Sequence, residues 1–227
     1  MYLSQFLEEE GILGSRSRPP AQGAPQVDGS PLGRVVLWVA RPGYRARMAD
    51  FATDIAALRA NARRHIEQGP ITEAYGADRE RVVAVLNEAL ATELVCVLRY
   101  RRHYFMAEGI NSGPVAAEFL QHAGEEQGHA DRIAARIVQL RGEPDFNPST
   151  LAGRSHSEYV AGTDLLDMVR EDLIAERVAV ASYQEIIAWL GSGDPTTRRM
   201  LEDILAMEEE HADDLANLLE SMGGAGA

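Results

Sequence analysis

Two copies of the pattern Glu-x-x-His constrain the fold of this chain more than any other feature. One copy ends at His129 and the other at His211, and a lone glutamate precedes the glutamate of each copy by 33 and 32 residues, respectively. Positions i and i+3 of a helix lie on the same face, so each copy places a carboxylate beside an imidazole. The repeated spacing predicts two related helical hairpins that face each other. The six residues of the pattern are Glu93, Glu126, His129, Glu176, Glu208 and His211.

Glycine, proline and capping residues divide the rest of the chain into four long helices. Ser112-Gly113-Pro114 is a typical helix start, and Thr163 and Asp194 are predicted N-caps. The outer connections are short, whereas about 20 residues separate the second helix from the third. Two short loops and one long crossover predict an all-α four-helix bundle within residues 78–221. The predicted helices cover residues 78–107, 114–140, 163–190 and 195–221.

Each predicted helix carries an apolar stripe, and a charged residue of the pattern interrupts the middle of every stripe. In the first helix, for example, Glu93 stands between Leu90 and Val97. Burying an unpartnered carboxylate costs on the order of several kcal/mol, and four carboxylates at one depth repel one another. Two divalent cations would cancel the four negative charges. Four carboxylates and two imidazoles form the ligand set of a di-iron or di-manganese centre, which the sequence therefore predicts.

Other residues on these helices have alternative interpretations. His122, four residues before Glu126, is predicted to be a core histidine, with a metal ligand as the alternative. Tyr100 and Tyr183 each follow a lone glutamate by seven residues. Hydrogen bonding to a ligand, electron donation and packing are the alternatives for both, and packing is favoured for Tyr183. Glu125 lies off the stripe and is predicted to be solvated or to contact a ligand residue.

The first part of the chain differs in composition from the bundle. Residues 1–47 are rich in Gly, Pro, Ser and Arg, carry a net charge of +2, and are predicted to be a disordered basic leader. Residues 48–70 are predicted to hold an extra N-terminal helix, over residues 49–67. Met48 opens this helical pattern and is an alternative start of the protein.

Charge and cysteine content exclude several classes of function. The chain has a net charge of −13, and the part after residue 47, with 16 arginines and 31 acidic residues, carries −15, so DNA is not expected as a partner. The single cysteine, Cys96, excludes an internal disulfide and a four-cysteine iron site of the rubrerythrin type. No apolar run is long enough to span a membrane, and no signal peptide is recognisable. These features predict a cytoplasmic protein without a membrane partner.

Residues 79–220 resemble bacterioferritin, a family of the ferritin superfamily. The strings that carry the resemblance are Asn87–Val95, Glu126–Arg132, Asp172–Glu176 and Glu208–His211. The resemblance implies a ferritin-like fold and a ferroxidase centre that binds two Fe ions per subunit, with Mn as the alternative metal.

The resemblance also implies individual roles for the site residues. Glu93 and His129 would be terminal ligands of one iron, and Glu176 and His211 of the other. Glu126 and Glu208 would bridge the two ions. Tyr100 matches a tyrosine that the family places beside this centre.

The chain departs from the family at three places. Gln127 replaces the methionine that binds haem in the family, so haem is not expected. Gln121 replaces a histidine of the family's inner-surface iron site. The glycine-rich end, Met222–Ala227, cannot form the short fifth helix that closes the family's 24-subunit shell, so a 12-subunit cage like that of Dps proteins is an alternative.

The predicted function is oxidation of Fe(II) by O₂ or H₂O₂ in a homo-oligomeric shell, for iron storage and detoxification. Three alternatives remain open from the sequence: a Dps-like cage that protects DNA and consumes peroxide, a di-iron oxidase acting on another substrate, and a structural bundle with ion-paired carboxylates.

Overall fold

The structure, a computed structural model, describes residues 52–109 and 112–224. Within these ranges it is all-α, with no β-strand, which confirms the predicted fold class. None of the helices in these ranges is both long and apolar enough to cross a membrane. The predicted leader and residues 48–51 lie outside the described residues. The helices are α1 (Ile55–Asn61), α2 (Arg79–Met106), α3 (Ser112–Gln139), α4 (Leu151–Arg154), α5 (Leu165–Leu190) and α6 (Pro195–Gly224).

The four long helices form two hairpins. Helix α2 packs along α3, and α5 packs along α6. The hairpins meet where α2 contacts α5 and α3 contacts α6. This arrangement, with a long crossover from α3 to α5, is the predicted four-helix bundle.

Aspartates cap three of the long helices. The side chains of Asp78, Asp164 and Asp194 accept hydrogen bonds from backbone amides three residues later, at 3.1, 2.9 and 2.9 Å. The prediction of Thr163 as the N-cap of α5 is wrong by one residue. Thr163 instead donates through its amide and its hydroxyl to Asp167, at 2.9 and 3.0 Å. A carboxylate at the cap also interacts favourably with the helix dipole, which favours Asp164.

The N-terminal helix is shorter than predicted. Helix α1 has seven residues, none of them buried, and a separate 3-10 turn covers Ile66–Gln68. His65 between them has a left-handed backbone with φ of 52°, which ends any continuous helix. Because most of the stability of a helix comes from packing of its apolar face, an exposed segment of this kind supports only a short helix.

The crossover is attached to α2 by hydrogen bonds of Asn87. Its side-chain nitrogen donates to the Glu143 carbonyl at 3.1 Å, and its side-chain oxygen accepts from the Asp145 amide at 2.7 Å. Arg154, at the end of α4, donates to the Asn87 carbonyl at 3.0 Å. The sequence did not predict α4, which is a single turn in this crossover.

Two apolar clusters fill the bundle, one towards each end. The first contains Leu86, Leu90, Ile133 and Ile204, and the second contains Phe119, Val169 and Leu215. Along every long helix, the charged residues of the repeated pattern lie between the residues of the two clusters. The fold therefore places a polar layer between the two apolar clusters, at the middle of the bundle.

Candidate metal centre

The six residues of the repeated pattern converge in that polar layer. All six are at most 3% exposed. They form two groups whose potential ligand atoms all lie within 4.8 Å of one another. Half-site 1 consists of Glu93, Glu126, His129 and Glu208, and half-site 2 consists of Glu126, Glu176, Glu208 and His211.

In half-site 1, three carboxylates surround the Nδ1 atom of His129. This nitrogen lies 3.4 Å from Glu93 Oε2, 3.5 Å from Glu126 Oε2 and 2.9 Å from Glu208 Oε1. The carboxylates come from α2, α3 and α6, so both hairpins contribute to this half-site.

In half-site 2, the Nδ1 atom of His211 occupies the equivalent place. It lies 3.5 Å from Glu126 Oε1, 3.9 Å from Glu176 Oε2 and 3.7 Å from Glu208 Oε2. Glu126 and Glu208 thus turn one oxygen towards each half-site. A carboxylate that presents its two oxygens to two neighbouring sites has the geometry required to bridge two cations.

Most of the atoms that face the centre have no hydrogen-bond partner among the described residues. Each of the six residues contributes at least one such buried atom, including both oxygens of Glu208 and the Nδ1 atoms of both histidines. Buried polar atoms are nearly always hydrogen-bonded, so a group of unpaired ones at a single point indicates a missing partner. Carboxylate oxygens and imidazole nitrogens are ligands that suit iron, manganese and zinc, so this donor set fits a pair of such ions.

The electrostatics of the metal-free centre show how strongly it attracts positive charge. Burial, reinforced by the charge of Glu126, raises the pKa of the Glu93 carboxyl to about 8. Burial and the charges of Glu126 and Glu208 also raise the pKa of Glu176. Burial lowers the pKa of His129, but the adjacent carboxylates outweigh it and raise that pKa to about 12. Protons therefore occupy the centre near neutral pH where no metal is bound.

Two tyrosines form hydrogen bonds with carboxylates of the centre across the hairpin boundary. The Tyr100 hydroxyl donates to Glu176 Oε1, and the Tyr183 hydroxyl donates to Glu93 Oε1. Tyr183 packs in the first apolar cluster, as predicted, and its hydroxyl contact with Glu93 adds the hydrogen bond to a candidate ligand that was the alternative interpretation. Each tyrosine lies on the same helix face as the lone glutamate seven residues before it, but it binds the lone glutamate of the opposite hairpin. Helical periodicity alone does not reveal this pairing.

The outer nitrogens of the two histidines have different partners. His211 Nε2 lies 2.9 Å from Glu125 Oε2, so we place a proton on Nε2, which leaves Nδ1 free to face the centre. His129 Nε2 instead lies 3.4 Å from the sulfur of Met207. Glu125 is thus the residue that contacts a candidate ligand, one of its two predicted roles.

His122 is buried next to half-site 2, as predicted for a core histidine. Its ring stacks on that of His211, with 4.1 Å between the ring centres and an angle of 21° between the planes. Its Nδ1 lies 3.2 Å from the Tyr100 hydroxyl. Burial, together with the charge of His211, lowers the pKa of His122 to about 3.

A second buried polar group, which the sequence analysis missed, lies away from the centre. Asp172 accepts hydrogen bonds from Arg99 Nε at 2.7 Å and lies 2.7 Å from Nδ1 of His103. All three residues are at most 1% exposed. The sequence places charged residues at inward positions of α5 and α2, which was a signal for such a group. Their pairing, however, depends on how the two helices dock.

Two of the three places at which the chain departs from the bacterioferritin pattern, Gln121 and Gln127, lie on the exposed side of α3. The amide of Gln127 donates to Asp131 at 2.9 Å, and that of Gln121 donates to Glu125 at 3.3 Å. Neither glutamine belongs to the two half-sites.

Known proteins resemble this chain over the bundle. Residues 83–224 match the ferritin-like domain. The bacterioferritin of Mycobacterium leprae is 32% identical over 146 residues, which cover 64% of this chain and 87% of the relative. The nutrient stress-induced DNA-binding protein of Synechococcus sp. is 31% identical over 137 residues, or 59% of this chain and 78% of the relative.

Solved structures share the same region. The dodecameric thioferritin of Bacteroides fragilis, a bacterioferritin-related protein, is 32% identical and superposes with a TM-score of 0.64. The match covers 66% of this chain and 90% of the thioferritin chain. The family match spans more than half of the chain and coincides with the helices that carry the two half-sites. The chain therefore belongs to the ferritin-like family, as a bacterioferritin-like member of the ferritin superfamily.

Proposed function

We propose that this protein is a cytoplasmic ferroxidase, which oxidises Fe(II) to Fe(III) for iron storage and detoxification. Glu93 and His129 bind one Fe(II) as terminal ligands, and Glu176 and His211 bind the other. Glu126 and Glu208 bridge the two ions. Tyr100 supports the second ion by donating to Glu176.

The observation that carries this proposal is the set of unpaired buried atoms directed at one point. A structural bundle with ion-paired carboxylates would place arginines against these glutamates. The nearest cationic partners are instead the two histidines of the pattern, and their Nδ1 atoms have no hydrogen-bond partners themselves. A pair of divalent ions satisfies all of these atoms and neutralises the four carboxylates.

In the proposed reaction, the protein binds the two Fe(II) ions and balances their charge. Each Fe(II) loses one electron, so two ions reduce one O₂ and two protons to H₂O₂, or one H₂O₂ and two protons to two waters. When the ions bind, they displace the protons that Glu93, His129 and His211 hold in the metal-free protein, because a ligand atom must be deprotonated to coordinate. The apolar clusters on both sides of the centre exclude water from it.

A homo-oligomeric shell supplies the space for oxidised iron. Several large apolar side chains on the long helices are exposed in a single subunit, including Leu98, Phe105 and Ile174 at 53%, 70% and 54%. In the proposed shell, contacts between subunits would cover such side chains. The similarity to a dodecameric thioferritin supports a 12-subunit shell rather than one of 24. Light scattering on the intact protein distinguishes the two sizes.

Replacing one bridging carboxylate tests the function. Glu126→Ala should abolish rapid Fe(II) oxidation, measured by the absorbance of Fe(III) after anaerobic Fe(II) is mixed with O₂ or H₂O₂. Glu209→Ala, which removes an exposed carboxylate from α6, is the matched control and should oxidise iron at the wild-type rate. Circular dichroism should show the same helical content in all three proteins. Equal oxidation rates in wild type and Glu126→Ala would defeat the proposal.

The similarity to a DNA-binding stress protein favours one second candidate, DNA protection. The acidic charge of the chain after residue 47 opposes it, because nucleic-acid binding depends on neutralising phosphates. An electrophoretic shift assay at low and high salt, on the whole chain and on a chain that begins at Met48, separates the possibilities. A salt-sensitive shift that requires residues 1–47 would establish DNA binding through the leader.

A further inference from the structure

A third group of potential ligands lies beside the metal centre, on its half-site 2 side. Glu118 and His122 of α3 and Asp214 of α6 place one potential ligand atom each within 4.8 Å of the others. His122 is fully buried, whereas Glu118 and Asp214 are partly exposed. The group therefore joins the surface of the bundle to its interior.

The buried histidine of this group has an unpaired nitrogen. His122 Nε2 is buried, has no hydrogen-bond partner, and lies 3.2 Å from Glu118 Oε1. The other nitrogen, Nδ1, faces the Tyr100 hydroxyl at 3.2 Å. Tyr100 has a single proton and donates it to Glu176, so its oxygen can only accept from His122.

This direction of hydrogen bonding places the proton of a neutral His122 on Nδ1. Nε2 then presents a lone pair towards the carboxylate of Glu118, and two acceptors at this distance repel each other. A cation bound between them removes the repulsion and supplies the missing partner. A proton carried by Glu118 would also do so, and the experiment below separates these two cases.

The same histidine connects this group to half-site 2. Ligand atoms of His122, Glu176 and His211 also lie within 4.8 Å of one another. Because the ring of His122 stacks on that of His211, a cation leaving Glu118 and Asp214 has its next ligands within a few ångströms. The equivalent position on α6 is Ile204, four residues before Glu208, so half-site 1 has no such neighbour.

We propose that Glu118, His122 and Asp214 form a third divalent-cation site, which receives Fe(II) from solvent and loads half-site 2. This inference rests on the proposed ferroxidase function. The site binds the ion without oxidising it, and its two partly exposed carboxylates favour Fe(II) over anionic or neutral species. Mixed carboxylate and imidazole ligands suit Fe(II), Mn(II) and Co(II).

The test uses the full-length metal-free protein and Co²⁺ as the probe, under anaerobic conditions. Titration followed by visible absorption and by calorimetry should show about three Co²⁺ per subunit in the wild type. The double variant Glu118→Gln/Asp214→Asn should bind about two, with the tight sites unchanged. The control Glu210→Gln/Asp213→Asn removes the same charge from exposed positions of α6 and should bind about three.

A kinetic measurement tests the loading role. At limiting Fe(II), the double variant should oxidise iron about tenfold more slowly than the wild type but to the same final extent, while the control keeps the wild-type rate. A double variant that binds as much Co²⁺ as the wild type, or a wild type that binds only the two tight ions, would overturn the third site and leave the ferroxidase centre standing. An unchanged oxidation rate would overturn the loading role. Failure of the wild type to bind any Co²⁺ would instead overturn the ferroxidase proposal.

Discussion

Each half-site consists of three glutamates and one histidine, but the side chains that surround the two half-sites differ. Half-site 1 has a histidine, His129, whose outer nitrogen faces only the thioether of Met207. Half-site 2 has a histidine, His211, whose outer nitrogen is bound by the carboxylate of Glu125. A carboxylate behind a ligating imidazole fixes its orientation and makes it a stronger ligand. We therefore expect half-site 2 to bind metal more tightly than half-site 1.

We infer that the repeated pattern determines which residues form each half-site but does not determine how tightly each half-site binds metal. The approximate twofold relation between the hairpins holds for the glutamates, the histidines and the tyrosines that bind the glutamates. It fails one layer further out, at Glu125 and Met207 and at His122 and Ile204. We therefore expect residues of that outer layer to decide which half-site binds the first ion.

The largest expected effect comes from the bridging residues. Glu208 belongs to both half-sites, whereas Glu93 belongs only to half-site 1. Glu208→Ala should therefore abolish tight Co²⁺ binding at both half-sites, and Glu93→Ala should leave about one tightly bound ion, in half-site 2. Equilibrium dialysis with metal analysis measures both. Loss of both ions in Glu93→Ala would show that the half-sites bind only as a unit.

The stability of the metal-free protein should depend on pH. The folded-state pKa of Glu93 is raised to about 8, and that of His211 to about 10. A group with a raised pKa stabilises the fold fully below its unfolded pKa, and this stabilisation is lost as pH rises through the folded value. From these two groups, the unfolding free energy should fall by on the order of 6 kcal/mol between about pH 6 and about pH 9.

Urea denaturation at several pH values checks this dependence. Protein loaded with Co²⁺ should show little change over the same range, because the metal has replaced the protons. Glu93→Gln in the metal-free protein should reduce the slope, and the exposed Glu209→Gln should not. A metal-free protein that gains stability as the pH rises would contradict the proton-filled centre.

The smallest expected effect concerns the outer layer. Glu125→Gln replaces the charged acceptor behind His211 with a neutral one and should weaken binding at half-site 2 by about tenfold. Met207→Leu keeps the volume behind His129 and should leave half-site 1 unchanged. Competition of Co²⁺ with a chromophoric chelator resolves both affinities. Equal affinities of the two half-sites for Co²⁺ in the wild type would contradict the expectation that half-site 2 binds metal more tightly.

The sequence was sufficient to predict the fold and the residues that converge, because both follow from periodicity. An apolar stripe of period 3.6 defines the buried face of each helix, and the charged interruptions of the four stripes fall at one depth. Glycine and proline positions placed the ends of the long helices within a few residues of those observed. These are local properties that a linear pattern contains.

Contacts between hairpins were not predictable in the same way. Tyr183 lies on the same helix face as Glu176 but binds Glu93. His103 of α2 contacts Asp172 of α5. Such pairings depend on the axial offset between two docked helices, which is set by the packing of side chains such as Phe119 and Val169 rather than by spacing within either helix. The attachment of the crossover to Asn87 has the same origin.

The membership of Glu126 and Glu208 in both half-sites has a consequence for how the subunit would respond to bound iron. Each hairpin is closely packed within itself, and the two are connected by a crossover and by fewer contacts between them. Since both half-sites contain residues of both hairpins, ions bound there would act as reversible cross-links between the halves of the subunit. On this proposal, the rigidity of the subunit would follow the supply of iron, and the metal-free subunit would be the form that a protease cleaves most readily.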